Sequence, residues 1–120
     1  MILVSWNCRG MGSSLKANVV RDLLKAEQPD FLLLQETKIN EQEFHNSLKR
    51  SRNYEGLAMS AIGASGGIGV IWNKSNWNLI DNKQNRWWIR IDMQSTDKKE
   101  EYTIYNVYAC LLYTSDAADE

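Results

Sequence analysis

The sequence predicts an α/β fold, and three observations predict it. The chain opens with a strand, a helix and a second strand within its first thirty-six residues. The second of those strands is an uninterrupted apolar run, Phe31-Leu32-Leu33-Leu34, that follows Pro29-Asp30 and stops on Gln35-Glu36-Thr37-Lys38. From Tyr54 onward the pattern changes to short β-branched and aromatic segments separated by turns. A short apolar run after a Pro-Asp turn reads as a strand buried on both faces. Ligands of open α/β sheets bind beyond the carboxyl ends of the strands, so Glu36 is the first candidate for a functional residue.

Ile2–Asn7 is the first strand, apolar and then polar at its end. Gly10-Met11-Gly12-Ser13-Ser14 is a turn in which Ser13 or Ser14 caps a helix. Leu15, Val19, Val20, Leu23 and Leu24 fall at helical spacing and predict one buried stripe. Pro29 closes that helix. A strand-helix-strand unit of this length is right-handed and parallel. Its geometry brings Asn7 and Glu36 to the same sheet edge. Asn40 and Glu43 form a capping box for a second helix, short and weakly anchored, with Phe44 and Leu48 as its apolar side. Tyr54–Met59 is a further strand candidate. Ile68–Trp72, Trp77–Ile80, Trp87–Met93 and Tyr102–Tyr108 read as strands of one antiparallel run, with flexible Gly63-Ala64-Ser65-Gly66-Gly67 before them and a solvated Lys98-Lys99-Glu100-Glu101 turn within them.

A chain of 120 residues suffices for one domain with a modest core. No apolar run approaches the roughly 18 residues that span a bilayer, and the amino terminus lacks a basic leader, so no membrane partner is expected. Cys8 and Cys110 make neither a zinc nor a disulfide pattern, which suits a reducing compartment. After Ala109 the periodicity ends. Residues 110–120 look like the translation of a transposase-based sequencing adapter and are read as read-through, leaving 1–109 as the natural portion. Without Asp116, Asp119 and Glu120 the net charge of −1 becomes +2, a balance that by itself decides nothing.

Four stretches in order carry a resemblance. Ser5-Trp6-Asn7-Cys8-Arg9-Gly10, then Leu34-Gln35-Glu36-Thr37-Lys38, then Ser65-Gly66-Gly67-Ile68-Gly69-Val70-Ile71-Trp72, then Tyr105-Asn106-Val107-Tyr108-Ala109 are together similar to the motifs of the endonuclease/exonuclease/phosphatase superfamily. The wording of the first two most resembles the endonuclease domain of plant LINE-type (non-LTR) retrotransposons. The resemblance implies a four-layered α/β/β/α sandwich of the DNase I-like kind, present here as roughly its first half. It implies a magnesium-dependent endonuclease, with manganese as the alternate ion. In the parent, that enzyme would nick target DNA for target-primed reverse transcription, in the nucleus, beside a downstream reverse transcriptase domain of the same chain. A phosphatase or lipid phosphodiesterase on the same fold is the enzyme alternative, since fold does not dictate substrate. A truncated element without catalysis is the other.

Phosphodiester hydrolysis needs a cation on the phosphoryl oxygen, an in-line water and donors for developing charge. Magnesium takes hard oxygen ligands and keeps several waters, so one or two carboxylates can hold it. By resemblance Glu36 is the metal ligand, Asn7 stands beside it on metal or phosphate, and Lys38 offers a point charge. Each has a plainer reading: a surface carboxylate, a strand-end amide bonding its own backbone, and an exposed lysine. Gln35 faces away from Glu36 and reads as structural. Arg9 departs from the acidic residue that abasic-site repair enzymes of the superfamily carry there, which argues against that repair activity. The Gly66-Gly67-Ile68-Gly69 run reads first as a turn or relief of crowding. Most of the five tryptophans read as packing, His45 as solvated and Cys8 as a small buried hydrophobe. The water-activating Asp-His pair of such enzymes has no counterpart here, so the 120 residues alone are expected to be inactive.

Overall fold

A computed structural model describes residues 1–63 and 66–108. The adapter-like segment 110–120 lies outside the described residues, as do Ala64, Ser65 and Ala109 of the glycine-rich and last motifs. The elements run β1 (Leu3–Asn7), α1 (Ser14–Glu27), β2 (Phe31–Gln35), α2 (Glu41–Ser47), β3 (Tyr54–Met59), β4 (Ile68–Asn73), β5 (Trp77–Gln84), β6 (Trp88–Ser95) and β7 (Glu101–Val107). They form a four-stranded sheet in the order β1-β2-β4-β3 and a three-stranded sheet in the order β5-β6-β7.

β1 and β2 are parallel, with Asn7 opposite Gln35, as the strand-helix-strand reading requires. The antiparallel run expected from Ile68 onward is divided between two sheets. β4 returns to the first sheet and lies antiparallel between β2 and β3, while β5, β6 and β7 make the second. Burial explains the division. Ile68–Trp72 is buried at every position and needs cover on both faces, whereas β6 alternates and presents a single apolar face. That face meets the first sheet: Phe31, Leu33, Val70 and Trp72 pack against Trp77, Ile89, Ile91 and Met93. On the other side of the first sheet, Val20, Leu24, Phe44 and Leu48 of the helical layer cover Leu32, Leu34 and Ile71.

Two expectations about the helices need correction. In α1 the inward positions are Val20 and Leu24, while Leu15 is 71% exposed and Val19 42%. At about 100° per residue, Lys16, Val20 and Leu24 share one face and Leu15 points nearly opposite. The polar head of Lys16 masks that stripe in the sequence. α2 is short but firmly seated. Its capping box is complete, with the Glu43 amide donating to Asn40 Oδ1 at 2.8 Å and the Asn40 amide to Glu43 Oε1 at 3.2 Å. Phe44 is fully buried on a shelf that only glycines leave open: a Cβ on Gly69 would lie 2.3 Å from its ring, and one on Gly56 2.8 Å.

Candidate active site

The polar ends of β1 and β2 continue as two bonded loops. Past the last strand pair, the Cys8 amide donates to the Gln35 carbonyl at 3.1 Å, the Gly10 amide to Glu36 at 2.7 Å and the Met11 amide to Thr37 at 2.7 Å. From the other flank, the Thr37 amide donates to the Gly67 carbonyl at 3.0 Å and the Lys38 amide to Gly66 at 2.9 Å. Glu36-Thr37-Lys38 is thus clasped between two neighbouring segments. Thr37 is buried in this clasp, with its Oγ1 2.4 Å from where a Gly67 Cβ would stand. Gly67 has φ +87°, so both crowding and backbone demand glycine there.

The edge is built on left-handed backbone. Arg9 has φ 50°, Glu36 52° and Lys38 55°, with Gly10 at 101° in the first loop. Non-glycine residues seldom adopt this region, and such strain concentrates where a fold must aim particular side chains. Lys16 holds the first loop in place. Its Nζ donates to the Cys8 carbonyl at 2.6 Å and the Arg9 carbonyl at 3.1 Å. Beneath it, the Cys8 thiol donates to the Gln35 carbonyl at 3.3 Å, and burial pushes its pKa up against the opposing pull of backbone amides and Lys16.

Asn7, Glu36 and Lys38 come to this one edge. Asn7 Oδ1 accepts the Arg9 amide at 3.1 Å, a bond to its own loop that leaves one lone pair and the amide donors for other partners. Lys38 lays its stem near Gly10, its Cδ 3.5 Å from that residue's would-be Cβ. Asn7 also lines a cleft of about 340 Å³ with Ser5, Gln35, Tyr105, Asn106 and Tyr108. At its floor Asn106 is buried, donating to the carbonyls of Leu34 at 3.0 Å and Gly69 at 2.9 Å and accepting from Gln35 Nε2 at 2.8 Å. Gln35 Nε2 also reaches Ser5 Oγ at 3.0 Å.

Lys16, Thr37 and Asn106 were not singled out from the sequence. For Lys16 the signal was present, a lysine four residues before Val20 and eight before Leu24. His45 and two of the tryptophans stay away from the edge. His45 stands on α2, its Nε2 3.8 Å from Glu41 Oε1, and Trp72 and Trp77 are core. Trp87 is exposed, stacked 6.2 Å from the Tyr108 ring with the Arg86 guanidinium 4.5 Å from its own centroid.

A family model described as the endonuclease/exonuclease/phosphatase family matches residues 4–110. The chain belongs to that family. Solved structures with the same fold include a Danio rerio TDP2 complexed with single-strand DNA product (17% identity, TM-score 0.69, covering 99% of this chain and 50% of that one). The AP endonuclease LMAP from Leishmania major (18%, 0.68, 90% and 40%) and the Xenopus laevis APE2 catalytic domain (16%, 0.67, 91% and 45%) are similar too. This family member spans about half the length, or less, of those chains. No curated protein matches it.

Among the described residues, no three His, Cys, Asp or Glu side chains gather into a group able to hold a metal. The donors at the edge of this family member, the Glu36 carboxylate and the Asn7 amide oxygen, are nevertheless hard oxygens. They suit an ion such as magnesium that retains most of its water.

Proposed function

We propose that the chain is the amino-terminal half of a magnesium-dependent DNA endonuclease domain of the LINE-type retrotransposon class. Its parent would nick target DNA to expose a 3′-hydroxyl for reverse transcription by a domain further along the same polypeptide, acting in the nucleus. The observation that carries this reading is the shared edge. Asn7 ends β1 and Glu36 directly follows the last residue of the parallel β2, with Lys38 two residues on, on backbone clasped from both flanks.

In this reading Glu36 and Asn7 hold magnesium, or manganese in its place. When bound, the ion supplies positive charge to a phosphoryl oxygen of the scissile phosphodiester. Lys38 adds a point charge to a second oxygen. The Asn7 amide donors orient the phosphate while its Oδ1 stays tied to the Arg9 amide. Water activation and protonation of the leaving group fall to residues beyond 1–109, so this chain by itself turns nothing over. Residues 110–120 are read as adapter sequence and excluded.

The test begins by sequencing the source DNA across codon 109, then assaying the completed domain for plasmid nicking with magnesium. Glu36→Gln should lower nicking by about a hundred- to a thousandfold, the scale of losing a principal electrostatic stabiliser. Full activity in Glu36→Gln would remove Glu36 from the site. Glu36-dependent nicking by the 120-residue chain alone would overturn the half-site reading.

A further inference from the structure

A second cleft lies away from Glu36, at the opposite edge of the first sheet. β2 begins at Phe31 opposite Trp72, and β3 begins at Tyr54 opposite Asn73, so these residues mark one edge; Gln35, Ile68 and Met59 mark the other. The cleft, of about 570 Å³, opens at the Tyr54–Asn73 edge between the end of α1 and the segment leading into β3. At roughly 3.3 Å per strand residue, the five residues of β2 set the two edges about 15 Å apart.

Four cations line this cleft, Arg21 and Lys25 from α1 with Arg50 and Arg52 from the segment before β3, against the single carboxylate of Asp22. None of the four forms an ion pair with a described residue. Arg21 is hydrogen-bonded to Asn18, a neutral partner that leaves its charge uncompensated. Such a concentration of charge is notable in a chain whose net charge is −1, or +2 without residues 110–120. Three of the four are arginines, whose planar forks match phosphate oxygens in pairs. Among the other lining residues only Leu24 is aliphatic, and it is buried, so the cleft offers no exposed aliphatic rim for insertion into a lipid surface. Its volume falls in the range that encloses a group of nucleotide size and not a duplex.

We infer that this cleft is a second nucleic-acid contact, which grips the phosphodiester backbone of a single strand on the edge opposite Glu36. The inference goes beyond the endonuclease reading and does not rest on it.

The test uses the 120-residue chain with a fluorescein-labelled ten-residue oligothymidylate. Anisotropy is followed over a range of salt concentrations, and backbone amide shifts are mapped by NMR. Shifts should cluster at Arg21–Gln28 and Arg50–Tyr54. Arg50→Ala/Arg52→Ala should weaken binding at least tenfold and flatten the log–log salt slope by about 1.4, the single-strand value for two lost phosphate contacts. Arg50→Lys/Arg52→Lys should recover most of the affinity. A second pair, Arg21→Ala/Lys25→Ala, repeats the measurement on α1 should the first variant fail to fold. Wild-type affinity in a folded variant of either pair would overturn the proposal. So would shifts confined to Asn7–Lys38, or equal engagement of the cleft by polyglutamate or anionic vesicles at matched charge. Because separate amides report the two edges, failure at the cleft leaves the Glu36 reading standing, and failure of Glu36 leaves the cleft.

Discussion

Gln35 Nε2 donates to the buried Oδ1 of Asn106 at 2.8 Å, tying the two sheets together one residue before Glu36. The other end of the Asn106 amide spans Leu34 and Gly69, residues paired across β2 and β4, and gives its donors to both carbonyls. Gln35 extends the chain of bonds to Ser5 on β1. One buried amide therefore sets where β7 crosses the first sheet, and so shapes the cleft beside Asn7.

Asn106→Ala should unfold more easily by about 2–4 kcal/mol, because it strands two buried carbonyls and the Gln35 amide at once. Asn106→Asp should do no better, since it keeps the acceptor and loses both donors. Urea unfolding followed by tryptophan fluorescence measures both. A change within about 0.5 kcal/mol, the level of an ordinary surface substitution, would show that the sheets are held by apolar packing alone.

Gly69→Ala should cost about 1–3 kcal/mol through overpacking, since its Cβ would meet the Phe44 ring at 2.3 Å. Phe44→Leu should relieve part of that clash. The double-mutant cycle should then return a coupling of about 1 kcal/mol or more, favouring the double variant over the sum of the singles. Additive losses would mean that α2 shifts freely off the sheet.

Lys16→Met keeps the apolar stem on the buried face of α1 and removes both bonds to the Cys8 and Arg9 carbonyls. A stability loss of about 1–2 kcal/mol is expected for bonds from a charged donor. Amide hydrogen exchange should accelerate at Gly10 and Met11, which bond across to Glu36 and Thr37, while the centre of β2 stays protected. Uniform acceleration across the chain would make Lys16 a general stabiliser and not a strap on this loop.

Cys8 provides the pH dependence. Burial raises its thiol pKa in the folded chain, whereas an unfolded cysteine titrates near 8.5. Above about pH 8.5 the unfolded chain releases a proton that the folded chain retains, so stability falls as pH rises through that range. Cys8→Ala should flatten this alkaline limb. Cys8 alkylation by iodoacetamide should require opening of the structure, and reaction at the rate of a free thiol in the native chain would contradict its burial.

The sequence by itself determined the local structure and the edge. Apolar Phe31–Leu34 required a strand with both faces covered, the Asn40–Glu43 pair specified a helix start, and the strand-helix-strand spacing alone placed Asn7 and Glu36 together. These are consequences of short-range backbone chemistry and the handedness of one connection. Only the tertiary structure decided that β4 leaves its antiparallel neighbours to sit between β2 and β3, because local periodicity carries no record of which sheet a strand joins. It likewise decided that Lys16 faces inward, that Phe44 needs Gly56 and Gly69, and that Asn106 bonds residues 72 and 37 positions away. Each depends on groups distant in sequence meeting in a buried space. There, the cost of an unpaired polar atom or an overlapping ring selects one arrangement that no local window contains.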